Sequence, residues 1–212
     1  MRIYRFGKDE IPERARAIAL GFFDGMHLGH KELLRRTAQA AKEKELEFAV
    51  FTFSSEGSIK PGTARLERTE NKLFKMGETG VQTVIMAEFE ELSRLGAEDF
   101  VRRVLCSELC CRLGAVGYNF RFGKGAIGTA ELFSRLMSEE GGEALVLPEV
   151  SIFGKPVSST GIRQALSEGN AEEASALLGE PYSIESAVER GWVLEQASDF
   201  PRSTHPLTRT VP

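Results

Sequence analysis

Two of the chain's three histidines, His27 and His30, stand three residues apart among the glycines of GFFDGMHLGH. At the start of a helix this spacing brings both imidazoles to one side, above backbone N–H groups whose partial positive charge favours an anion. Gly21 and Gly25 permit a tight turn, and Gly29 lets backbone approach a bound phosphate closely. The expected product is a cradle for a polyphosphate. Capping or solvent-exposed histidines are the plainer alternative, but two in four residues beside glycines weigh against it. A second stretch, VSSTGIR, offers the hydroxyls of Ser158, Ser159 and Thr160, then Arg163 about one turn into a helix. Hydroxyls cap helices or donate to phosphate oxygens, and a guanidinium suits charge developing on a leaving pyrophosphate. Capping alone is the ordinary use of such residues. A third stretch, GYNFRFG, gives Asn119 to hydrogen-bond a ligand or hold a metal-bound water. Its Phe120 and Phe122 offer planar faces to a flat ring system, or fill a core.

These residues need a scaffold that brings loops together. Short runs rich in Val, Ile and Phe, at 17–20, 48–53, 81–86, 115–118 and 144–147, alternate with longer amphipathic segments. That alternation predicts βα units in an α/β, Rossmann-like, doubly wound parallel sheet. Between the first two runs, Leu33, Leu34, Thr37, Ala38 and Ala41 fall on one helical face. Ligands of such folds sit beyond the carboxyl ends of the strands. All three stretches follow predicted strands. Further on, Asn170 and Glu173 are spaced as a capping box, and Gly179 is a helix stop.

Composition narrows the classes. Of 212 residues, 42% are hydrophobic and 27% charged, ordinary for a globular chain able to bury a core. A net charge of -4 gives no general attraction to nucleic acid or anionic membrane, so neither is an expected partner. Absence of an apolar run near the roughly 20 residues that span a bilayer, and of an apolar leader in MRIYRFGKDEIPERAR, predicts a cytoplasmic protein. Cys106, Cys110 and Cys111 lack the further ligands a zinc site needs, and are expected to be reduced thiols on the apolar face of one helix.

HLGH after a first strand, with SSTGIR far downstream, resembles the HxGH nucleotidyltransferase superfamily. The stretches IALGFFDGMHLGHKELL, AVFTF, ENKLFKMGETGVQTVIMAEF, AEDFVRRVL, GAVGYNFRFG and VSSTGIRQALSEGNAEEASALLGEPYSI are similar, in order, to the FMN adenylyltransferase (FAD synthetase) module of bacterial bifunctional riboflavin kinase/FAD synthetases. The resemblance covers roughly residues 18–184. It implies transfer of the adenylyl group of ATP to FMN, giving FAD and pyrophosphate with Mg2+, by direct in-line attack. It implies catalytic roles for His27, His30, Asn119, Ser159 and Arg163, with the ATP site completed by Gly21, Phe22, Asp24, Gly25, Gly29, Ser158 and Thr160. The flavin would meet Phe23, Phe53, Asn119, Phe120 and Phe122, and magnesium would ride mostly on phosphates and water with Asn119 nearby.

The chain departs from the family at three places. Ser54-Ser55-Glu56-Gly57 replaces an acidic residue followed by Pro-His-Pro, and Ala126 replaces an arginine. Phe200-Pro201-Arg202-Ser203 stands where a riboflavin kinase barrel begins with Pro-Thr-Ala-Asn. Residues 1–182 are therefore expected to form the transferase domain, and 183–212 a short remnant of a kinase module without its complete β-barrel. Riboflavin kinase activity is not expected, and a separate kinase would supply FMN. Another phosphorylated acceptor, or a non-catalytic nucleotide- or flavin-binding paralogue, are the alternatives.

Overall fold

The computed structural model describes residues 1–54 and 65–183, with the backbone of 188–189 and 192–193. In chain order the elements are β1 (Arg2–Arg5), β2 (Arg16–Leu20), α1 (Leu28–Glu43), β3 (Glu47–Phe53), α2 (Thr69–Glu78), β4 (Thr83–Ala87), α3 (Phe89–Leu92) and α4 (Ala97–Asp99). A π-helix (Phe100–Glu108) follows, then β5 (Cys111–Gly117), α5 (Ala130–Glu139), β6 (Glu143–Leu147), the β7 (Ser151–Ile152) and β8 (Lys155–Pro156) hairpin, α6 (Ser159–Ser167) and α7 (Ala171–Leu178). Two-residue strands β9 (Val188–Glu189) and β10 (Trp192–Val193) pair with each other.

Strands β1 to β6 form one parallel sheet in the order β1-β4-β3-β2-β5-β6. From β2 the chain steps outward through β3 to β4, then returns to lay β5 on the other flank of β2. The neighbours of β2 thus depart in opposite directions, and the crevice beyond its carboxyl end is the switch point where α/β sheets bind ligands. Every residue of β2 is buried, as an apolar run covered on both faces requires.

Side chains alternate between two cores, following the period of two. Ile18 and Leu20 join Phe51, Ile85, Phe100, Val101, Leu105 and Phe133 on one face. Ala17 and Ala19 join Leu33, Leu34, Ala41 and Met76 on the other. A third cluster packs Ile162 and Ala165 of α6 against Leu177 and Leu178 of α7, with Leu66. Asn170 caps α7 as expected: the Glu173 N–H donates to Asn170 Oδ1 at 3.0 Å and Asn170 Nδ2 donates to Glu173 Oε2 at 2.9 Å. Gly179 ends α7 in the left-handed region, at φ 71, and a Cβ there would stand 2.4 Å from Leu28 of the HLGH stretch.

Two expectations need correction. The sheet has an edge strand, β1, that the pattern did not announce, because RIYR is mostly exposed and only one of its sides is paired. The cysteines do not share a helix. Cys110 adopts a left-handed φ of 50, which ends the helical path, and Cys111 already lies in β5. Only Cys106 is helical; all three are free, and burial pushes the Cys111 thiol upward. Ser55, Glu56 and Gly57 lie outside the described residues, as does Phe200-Pro201-Arg202-Ser203.

Candidate active site

The HLGH segment leaves β2 and opens α1 directly beyond the switch point. His27 is the N-cap, in extended backbone, and its Nδ1 accepts the His30 N–H at 3.3 Å. That bond places the His27 proton on Nε2. The two imidazoles stack with centroids 3.6 Å apart and planes 16° from parallel. Gly29 makes room for this arrangement, since a Cβ there would stand 3.2 Å from the His27 ring. Phe23, with a left-handed φ of 53, backs His30 at 5.1 Å between ring centroids.

Burial keeps both histidines neutral at pH 7. The His27 imidazole is pushed down to about 4, chiefly by desolvation. His30 lies well below its ordinary value, through burial first and then the charges of His27 and Lys72. Each neutral ring keeps one N–H donor. His30 Nδ1 is buried with no partner among the described residues, and buried ring nitrogens seldom stay so. Below pH 6.5 the unfolded chain takes up protons that the folded histidines refuse. The His27 contribution is therefore full above 6.5 and falls on acidification toward 4 by about 1.4 kcal/mol per pH unit, and His30 acts in the same direction. Urea unfolding at pH 7 and pH 5 is expected to show this loss, and His30→Ala to reduce the slope.

Asp24 draws the second motif to the first. Its backbone carbonyl accepts from Ser159 Oγ at 2.8 Å, its Oδ1 accepts from the Leu66 N–H at 3.2 Å, and its Oδ2 pairs with Arg163. Desolvation raises the Asp24 carboxyl and the Arg163 charge opposes that rise. Ser158 spends its hydroxyl on the N-cap of α6, accepting the Gly161 N–H at 3.1 Å, so the plain capping role applies to it. Thr160 is exposed beside it. Gly25, at φ 85, lies where a Cβ would meet Leu66 at 2.7 Å, and a Cβ on Gly21 would meet the Phe23 ring at 3.2 Å. Both glycines answer local crowding.

The aromatic residues divide differently from expectation. Phe23 is fully buried and Phe122 nearly so, because each fills a core face of the sheet, so neither offers a free ring face. Phe120 is half-buried and stacks on Phe122 at 5.4 Å. At the carboxyl ends of β2 and β3, the Phe22 and Phe53 rings meet instead at 4.6 Å, tilted by 33°, with Phe89 at 5.7 and 5.4 Å from them. Phe22 and Phe89 are exposed. Asn119 is exposed just past the end of β5, the strand beside β2. Among the described residues no group of three or more His, Cys, Asp or Glu side chains is placed to hold a metal ion, and no helix is long and apolar enough to cross a membrane.

Two features escaped the sequence reading. Lys72 of α2 is buried, and its Nζ donates to Phe22 O, Thr52 Oγ1 and Phe53 O, each at 3.3 Å. The available signal was its place four residues before Met76, on the helix's apolar side. A chain of ion pairs, Lys31–Glu180 at 2.9 Å, Glu180–Lys75 at 2.6 Å and Lys75–Glu67 at 2.9 Å, ties α1 and α2 to the segment after α7.

A family model for FAD synthetase matches residues 9–161, which contain the whole HLGH loop and reach into SSTGIR. The chain belongs to the FAD synthetase family. Relatives agree: bifunctional riboflavin kinase/FMN adenylyltransferases from Escherichia coli K12, Haemophilus influenzae and Bacillus subtilis are 31%, 32% and 30% identical to it. Those matches take in 95%, 92% and 89% of this chain but 66%, 65% and 61% of the relatives, so the chain spans just under two thirds of their length. A solved structure of a macrolide-efflux protein from Streptococcus pneumoniae superposes with a TM-score of 0.73 at 28% identity, over 86% of this chain and 61% of that one. Family membership and the six-stranded parallel sheet together match the Rossmann-like fold that the motifs implied.

Proposed function

We propose that this chain transfers the adenylyl group of ATP to FMN, forming FAD and pyrophosphate. The observation that carries the reading is that Asp24, in the loop that leads into HLGH, holds Ser159 and Arg163 of SSTGIR at the switch point, in a chain of the FAD synthetase family. Arg163 and Ser159 are engaged by Asp24, one through its carboxylate and the other through its carbonyl. Phosphate oxygens take the same donors, so the β- and γ-phosphates replace Asp24 as the partner of Arg163. His27 and His30 donate to the phosphates from neutral rings, and an arriving anion raises their proton affinity.

An oxygen of the FMN phosphate attacks the α-phosphorus in line. The new P–O bond forms as the bond from the α-phosphorus to the bridging oxygen breaks, and pyrophosphate leaves with that electron pair. Positioning and charge neutralisation carry such a step, and no covalent enzyme intermediate is involved. Asn119, exposed just past the end of β5, would offer an amide oxygen, which fits magnesium borne mainly by phosphates and water. Magnesium bound in that way neutralises phosphate charge.

With Phe23 and Phe122 interior, the flat ring of the acceptor finds Phe22, Phe53 and Phe89 instead. This change of platform also favours a second reading, adenylyl transfer to another phosphorylated acceptor such as nicotinamide mononucleotide or phosphopantetheine. A panel of those acceptors, FMN and riboflavin, each with ATP and magnesium, separates the readings by pyrophosphate release and product chromatography. FMN is expected to be used best. Faster turnover of another acceptor would move the assignment to it.

A further inference from the structure

Lys72 is a buried cation that nothing in the adenylyl-transfer reading uses. Its side chain extends from α2 to the carboxyl ends of β2 and β3, and the residue is 6% exposed. All three hydrogen-bond acceptors of its ammonium are neutral: the carbonyls of Phe22 and Phe53 and the Thr52 hydroxyl, which itself donates to Phe22 O at 3.2 Å. Asp24 and Glu67 act on it from longer range, and Arg65 opposes them. An ammonium withdrawn from water among neutral acceptors costs stability, and an apolar side chain of similar length would fill the space at lower cost. Stability therefore does not account for a lysine here.

Its partners suggest what does. The two carbonyls belong to Phe22 and Phe53, the residues whose rings meet at 4.6 Å, tilted by 33°, at the strand ends. The carbonyl of Phe22 also lies two residues before Asp24, which holds Arg163 and Ser159. One ammonium thus sets the backbone of both aromatic residues from beneath.

We infer that Lys72 is a positioning residue for the acceptor, clamping the Phe22 and Phe53 backbones so that their rings form one fixed platform. The inference rests on the adenylyl-transfer reading for the identity of the acceptor. The clamp fixes one register between the loop after β2 and the end of β3. Thr52, through its bond to Phe22 O, and the Gly21 N–H, which donates to Phe51 O at 3.2 Å, join the same two segments.

Lys72→Met keeps the buried length and removes the charge and its donors. The expected result is a KM for FMN raised about tenfold or more, as a platform displaced by an ångström would give, with the KM for ATP nearly unchanged and Tm not lowered. Thr52→Val, a milder cut in the same clamp, is expected to shift the FMN constant in the same direction by less. Flavin fluorescence titration gives the same comparison without turnover. A Lys72→Met protein that matches wild type in FMN binding overturns the inference. So does one that fails to fold, or that loses stability while both Michaelis constants rise together, since Lys72 is then a strut. Failure of the wild type to make FAD counts instead against the proposed function.

Discussion

Alanine in place of His30 is expected to lower FAD formation by about 10²–10³-fold, the usual effect of removing one preorganised donor from charge that develops in a transition state. The ring is held by two others, stacking on His27 at 3.6 Å and backed by Phe23 at 5.1 Å, and the His30 backbone N–H donates to His27 Nδ1. No described residue accepts from or donates to its Nδ1. Such a ring is preorganised for a ligand. The fold should survive, because α1 is anchored by Leu33, Leu34, Thr37 and Ala41 further along the helix. Steady-state kinetics with circular dichroism checks both halves of this expectation. Loss of turnover with native ellipticity supports the site; a change under tenfold removes His30 from it.

The largest effect on stability is expected at the opposite end of the strands. Arg16 is 1% exposed; its Nη1 donates to Leu109 O at 2.9 Å, its Nη2 donates to Pro12 O, and its Nε lies 3.0 Å from Glu47 Oε2. Glu47 keeps one further bond, from Thr83 Oγ1 at 2.8 Å. Arg16→Ala removes the cation and leaves that carboxylate nearly buried, a change worth about 3–5 kcal/mol. Urea unfolding measures the loss. Replacing both partners, Arg16→Met with Glu47→Leu, should recover most of it, because the uncompensated charge is gone. Turnover per folded molecule should hold in both variants, since these residues lie at the amino ends of β2 and β3 and the site lies beyond the carboxyl ends.

The contrast between Arg16 and His30 follows from the polarity of a parallel sheet, and that much was legible in the sequence. Strands β2 to β5 are covered on both faces, so their apolar runs stand out without help from alternation. HLGH was legible because its glycines and histidines serve local geometry within a few residues. The ion pair of Asp24 with Arg163 was not, since 139 residues separate the partners and only the fold brings them together. Lys72 was hidden for another reason: a lysine on a helix normally faces water, and only the strand ends packed above it reveal a buried one. Phe23 and Phe122 show the converse, because an aromatic residue beside a binding loop fits a ligand face and a core equally well until neighbours are known. Of the π-helix, only a helical face was legible in the chain. Phe100, Val101, Val104 and Leu105 have the spacing any buried helix face has, and the π geometry shows in the structure, where the Leu109 N–H reaches back five residues to Val104 O at 3.0 Å.

Transfer of the α-phosphate itself tests the account most directly. With ATP radiolabelled at the α-phosphate, magnesium and FMN, the label is expected to appear in FAD, one equivalent of unlabelled pyrophosphate to accompany it, and both to vanish together in Arg163→Ala. ATP bound and label never leaving it, at high protein concentration and with every acceptor of the panel, would contradict the account and make this chain a nucleotide-binding protein that does no adenylyl transfer.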